Sequence, residues 1–127
     1  MKKLFLTLVL ITLTSILIGC QSNENEDEHE VIERAEGFIN SLNEGSYEDA
    51  AAQLNDEMAD ALTPAILAEL WQQLTVEFGD FKGHSFEETT EDQGHTIVFL
   101  AGEFERTSIR FQLTFDQDQQ IAGFFIL

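Results

Sequence analysis

A single cysteine, a single tyrosine and a single tryptophan stand among 127 residues, and only six lysines and arginines face 24 aspartates and glutamates. With Cys20 alone, no disulfide can form within the chain, even in a compartment that permits one. The shortage of bases leaves a formal net charge of −18, which argues against nucleic acid and against anionic lipid headgroups as partners. Signatures of self-contained chemistry are also missing. His29, His84 and His95 make no His-x-x-x-His pair, and there is neither a Gly-x-Ser-x-Gly elbow nor a phosphate-binding Gly-rich loop closed by Lys-Ser or Lys-Thr. Asp116 and Asp118 have the spacing that opens a calcium loop, but Gln120 and Ile121 occupy the places where that loop needs Asp or Asn and then Gly, so a hairpin turn is the better account. No metal and no cofactor is expected.

The chain opens with Lys2 and Lys3 ahead of an apolar run over residues 4–18. A basic start, a short hydrophobic stretch and small residues at a cleavage point are the parts of a secretory signal peptide, here residues 1–19. The run is too short to span a bilayer, which takes about 20 apolar residues. Leu17-Ile18-Gly19-Cys20 closely resembles the lipobox of bacterial lipoproteins. That resemblance implies a diacylglyceryl group on Cys20, cleavage before it, and attachment to the extracytoplasmic face of a cell membrane. Two acyl chains, at about 0.8 kcal/mol per buried methylene, make such an attachment stable. Loss of Lys2 and Lys3 with the leader takes the formal charge from −18 to −20.

Residues 20–30 carry the acidic run Asn-Glu-Asn-Glu-Asp-Glu-His-Glu with nothing apolar to bury, which reads as an extended tether. At no more than about 3.6 Å per residue it reaches ~36 Å. Residues 31–127 read as one domain. Val31, Ile32, Ala35, Phe38, Ile39 and Leu42 recur at helical spacing, and Gly45 follows the end of that helix. Ser46 caps a short second helix carrying Tyr47, Ala50, Ala51 and Leu54. Residues 55–62 fit either a further helical turn or a loop. Thr63-Pro64 starts a helix with the stripe Leu67, Leu70, Trp71 and Leu74, closed by Gly79.

Beyond Gly79 the period falls to two. Ile109, Phe111, Leu113 and Phe115 alternate with Arg110, Gln112 and Thr114, a strand with one buried face. Residues 96–104 and 120–127 are strand-like with both faces apolar, and residues 81–89 form a weaker first strand. In the expected register His84 opposes a residue close to Ala101. Short connections between these strands require an antiparallel meander, and helices followed by strands make the fold class α+β with the helices on one side of the sheet.

Phe38, Leu42, Gly45, Tyr47, Ala50, Met58, Leu67, Trp71, Leu74, Gly79 and Phe81, with the segment Asp-Gln-Asp-Gln-Gln-Ile-Ala-Gly-Phe-Phe-Ile over residues 116–126, resemble domain of unknown function family 3887. That family is similar to the nuclear transport factor 2-like superfamily. The resemblance implies a cystatin-like cone, in which a curved four-stranded antiparallel sheet wraps N-terminal helices around a pocket. Phe38, Tyr47 and Trp71 are the candidates to line it. Relatives often carry the domain ahead of an α/β-hydrolase, so an accessory role to a separate hydrolase is an alternative. A small pocket enzyme with isomerase-like proton transfer is another, for which a carboxylate base and a neutral donor would have to face one ligand. The leading expectation is a non-catalytic module that binds a protein partner, a second copy of itself or an apolar small ligand. Val98, Leu100, Phe124 and Ile126 are its candidate interface residues, with Ile97 and Phe99, and Ile121 and Phe125, the sets offered if the other face of either strand turns outward.

Overall fold

The computed structural model describes residues 22–127; the leader and Cys20 lie outside the described residues. Helix α1 runs over Ser22–Glu44. It therefore begins nine residues before the expected start, and the acidic stretch is helical where an extended tether was expected. Side-chain pairs one turn apart offset the repulsion there. Glu30 accepts from Arg34 at 3.0 Å and Glu33 lies 3.1 Å from His29, while Glu28 accepts from Thr89 across the domain at 2.7 Å. The helix closes on Gly45 at φ +80°, with the N–H of Ser46 donating to Ser41 and that of Gly45 to Leu42. This pairing satisfies two otherwise orphaned carbonyls and needs a residue that tolerates positive φ.

Helix α2, Tyr47–Ala51, is shorter than its apolar spacing implies, and the Ser46 side chain makes no cap. The uncertain segment after it is α3, Asp56–Ala61, started by Asn55, whose side chain accepts from the Met58 N–H at 2.8 Å. Helix α4 covers Pro64–Phe78 with Thr63 accepting from the Ile66 N–H at 3.3 Å, as the Thr-Pro signal predicts.

Four strands follow: β1 (Phe81–Asp92), β2 (His95–Phe104), β3 (Ser108–Phe115) and β4 (Ile121–Ile126). They pair antiparallel in the order β1-β2-β3-β4, so the meander is as expected. Strand β1 runs three residues further than its sequence signal because the turn contracts to Gln93-Gly94. Both turn residues have positive φ, +51° and +83°, the geometry of a tight two-residue hairpin loop. His84 opposes Gly102, with Ser85 opposite Ala101; irregularities at Phe81/Gly83 and Phe86/Glu88 set the register. At the β3–β4 turn the Asp116 carboxylate accepts from the N–H groups of Asp118 and Gln120 at 2.9 and 3.0 Å. That carboxylate shapes a turn, in keeping with the reading of this segment as a hairpin.

All four helices lie on the face that carries Val98, Leu100, Phe111, Leu113 and Phe115, each buried against Phe38, Leu42, Leu67 and Trp71. A Cβ at Gly102 would stand 2.4 Å from the Phe111 ring, so only glycine lets that ring lie flat across β2. The alternation read in β3 holds. The inward assignment of its neighbours is the one that removes the expected interface: Val98 and Leu100 are fully buried, and Phe124 and Ile126 pack against the core. Each face of β2 and β4 is apolar enough to be the inner one, and pairing with β3 decides which is.

Candidate binding surfaces

Of the three residues expected to line a pocket, two are packing residues. Phe38 is wholly buried with Phe124 edge-on at 5.1 Å, and Trp71 sits among Phe81, Phe104 and Phe111 at centroid distances of 5.2, 5.9 and 6.2 Å. Offset and edge-to-face aromatic pairs of this kind contribute about 0.5–1.5 kcal/mol each beyond burial. Tyr47 alone borders an opening, a depression of about 480 Å³ shared with Gly45, Asp49, Pro64 and Ala68.

A second cleft of about 480 Å³ lies where the start of α1 meets the β1–β2 and β3–β4 turns. Asp27, Glu28, Glu91 and Asp116 give it carboxylates, Thr89, Thr90 and Thr96 hydroxyls, and Val31 an apolar floor. Two of its acids already have partners within the protein. Glu28 accepts from Thr89, and Asp116 holds its own turn. Among the described residues no group of three or more His, Cys, Asp or Glu is placed to hold a metal ion.

The sheet's other face carries Ile97, Phe99 and Phe125. Phe99 lies under Arg110, whose guanidinium carbon is 4.0 Å from the ring centroid, a cation–π arrangement. Arg110 is itself held by Glu87 at 3.2 Å and Glu88 at 2.8 Å, so its positive charge is balanced in place. Ile97 borders a shallow groove of about 300 Å³ with His95, Gln112 and Thr114. Phe125 is 53 % exposed. On β2 and β4 Ile97, Phe99 and Phe125 thus face outward, while Val98, Leu100, Phe124 and Ile126 face the core.

One polar cluster escaped the sequence reading. His84, on β1, points under α1, where its Nε2 is 3.0 Å from Asn40 Oδ1. Its buried Nδ1 has no hydrogen-bond partner and is 3.6 Å from the Glu36 carboxylate. The four-residue spacing of Glu36 and Asn40 puts them on one helical face, but only the sheet register brings His84 to it. A further link lies between α4 and the β2–β3 turn. The Asp80 N–H donates to Glu105 at 2.8 Å and holds that carboxyl below its ordinary value, with Lys82 and Arg106 adding to the effect.

Helices laid against one face of an open four-stranded antiparallel sheet, with no helix on the opposite face among the described residues, define an α+β domain. The chain belongs to the family described as Protein of unknown function (DUF3887), whose model matches residues 35–124. The match runs from the middle of α1 into β4 and so takes in both layers of the fold. No curated protein and no solved structure matches the chain significantly.

Proposed function

We propose that the protein is an extracytoplasmic lipoprotein, held in the membrane by a lipid on Cys20, whose nuclear transport factor 2-like domain is a non-catalytic binding module. The single observation that carries the binding role is the sheet face left without a helix among the described residues, where Ile97, Phe99 and Phe125 turn away from the helices in a chain otherwise rich in surface carboxylates. Phe125 is 53 % exposed, and with Ile97 and Phe99 it supplies the apolar part of a face shared with Arg110, Gln112 and Thr114, a mixed character that suits a contact surface. The lipobox-like Leu17-Ile18-Gly19-Cys20 supports the anchor, and an apolar ligand or a protein partner is the occupant this chemistry suits.

Both parts are tested on the full chain. Mass spectrometry of the membrane fraction should find Cys20 at the new N-terminus with diacylglyceryl mass, and Cys20→Ala should accumulate as precursor; an unmodified Cys20 overturns the anchor. Ile97→Asp should abolish binding of an apolar fluorescent dye while leaving the melting temperature within a few degrees. Undiminished dye binding overturns the surface.

A further inference from the structure

The sheet has two edges and they are built differently. Strand β1 is irregular near Glu87 and carries Glu87, Glu88, Glu91 and Asp92. Such charges and bulges are the usual protection of an edge against pairing with another chain. Strand β4 reads Ile-Ala-Gly-Phe-Phe-Ile, with no charge and no proline, in a protein with 24 acidic residues.

The backbone of β4 is open as well. Leu127 and Arg110 exchange both backbone hydrogen bonds, at 2.8 and 3.1 Å. Antiparallel pairs alternate, so Phe125 and Gly123 also turn their peptide groups toward β3 while Phe124 and Ile126 turn theirs outward. Among the described residues only the start of this edge is occupied: Ile121 donates to Gln53 and accepts from Asn55, both at 2.9 Å, through a parallel bridge with Leu54.

We infer that β4 is a docking edge for β4 of a second copy, joined antiparallel about a twofold axis at Phe125 into a continuous eight-stranded sheet. The inference rests on the binding-module reading and names its partner. The register follows from the obstruction at Ile121. Centring on Phe125 sets Phe124 against Ile126 of the other copy, with every outward N–H and C=O of these residues paired, and keeps the second strand clear of Leu54. Centring on Phe124 would run it into that bridge. Charge selects a second copy through this edge. Twofold pairing sets each segment against itself, which at β1 would oppose carboxylates to carboxylates and at β4 opposes only apolar side chains. The two Phe125 rings would then meet on the outer face and join the Ile97 and Phe99 surfaces of both copies.

The test uses the full chain in mild detergent. Phe125→Cys should give a disulfide-linked species of doubled mass under mild oxidation, well above the background that Cys20 sets in the unsubstituted chain. Glu91→Cys on β1 should stay at background, which separates specific pairing from two chains sharing a micelle. Phe125→Glu and Phe125→Lys should each lose at least tenfold in self-association, and mixing the two should restore it. If Phe125→Cys melts below the parent, self-association of the Phe125→Glu and Phe125→Lys chains, alone and mixed, decides in its place. Absence of the linked species in folded chains, equal linking at Glu91, or a Phe125→Glu chain that still doubles its mass overturns the inference. Capture of a different protein's strand by a monomeric chain does so too. The Cys20 mass and the dye binding of Ile97→Asp are read on the same preparations, so failure of the paired edge is distinct from failure of the binding module.

Discussion

The end of α4 and the start of α1 are fastened to the sheet by different means. At one end the β2–β3 turn closes over the end of α4. The Arg106 N–H donates to Phe78 and the Glu105 N–H to Asp80, while the Arg106 guanidinium donates to the Val76 and Glu77 carbonyls at 3.2 and 3.1 Å. Helix α4 has no base in its own last turn, so a residue about 30 positions away supplies the cation its C-terminus favours. At the other end, the start of α1 meets the hairpin tips through long side chains, Glu28 with Thr89 and Glu30 with Gln119 when that amide turns its nitrogen to the carboxylate at 2.9 Å. Backbone groups are already positioned by the fold, whereas exposed side chains lose rotamer freedom to make each contact. The attachment of α4 is thereby the firm one, and the start of α1 is the one that can open locally, while the backbone bonds of Ile121 to Gln53 and Asn55 tie the neighbouring start of β4.

The largest effect should come from Gly79→Ala. Gly79 sits at φ +89°, and a Cβ there would stand 2.6 Å from the Glu105 Cβ, so backbone strain and a clash add to a loss of about 2–4 kcal/mol in denaturant melts. Arg106→Ala removes two hydrogen bonds and the charge at the end of α4. It should cost about 1–2 kcal/mol and speed amide exchange in the last turn of that helix. At the acidic end, Asp116→Ala frees two turn N–H groups to water and should cost about 1 kcal/mol, seen as a lower melting temperature. Glu105 gives a pH signature. Its folded pKa is depressed from 4.5, first by the Asp80 N–H, so its contribution is full above that ordinary value and disappears as pH falls through the lower folded one. The melting difference between the parent and Glu105→Gln should shrink on acidification from neutral through that range. Glu28→Gln should be smallest, under about 0.5 kcal/mol, detected only as faster exchange in the first turns of α1. Equal protection at the two ends would remove the contrast.

Much of the firm end was legible in sequence. Thr63-Pro64, the Leu67–Trp71–Leu74 stripe and Gly79 bound α4 by local rules, and the strict alternation in β3 oriented that strand without ambiguity. The acidic end was misread because like charges along residues 22–30 suggest extension, and the contacts of Glu28 and Glu30 with the hairpin tips are invisible until those tips are placed. Strands β2 and β4 resisted for another reason: with Ile97 and Phe99 as apolar as Val98 and Leu100, periodicity offers two inner faces. For the candidate site, Phe38 and Trp71 carried a pocket's chemistry but sit where the aromatic cluster fills the interior. His84 and Arg106 depend on partners 44 and about 30 residues away, beyond any local pattern.

The unbroken course of α1 has a mechanical consequence. Its 23 residues make a rod of about 35 Å, and the same rod that starts at Ser22 carries Ala35, Phe38, Ile39 and Leu42 in the centre of the domain. A load applied at the start of this helix would travel along the shaft as force and torque into the core, with no slack segment to absorb it between Ser22 and Ala35. The helix thus acts as a lever whose fulcrum is the aromatic interior, and tilt of its first turn would swing the outer sheet face through an arc.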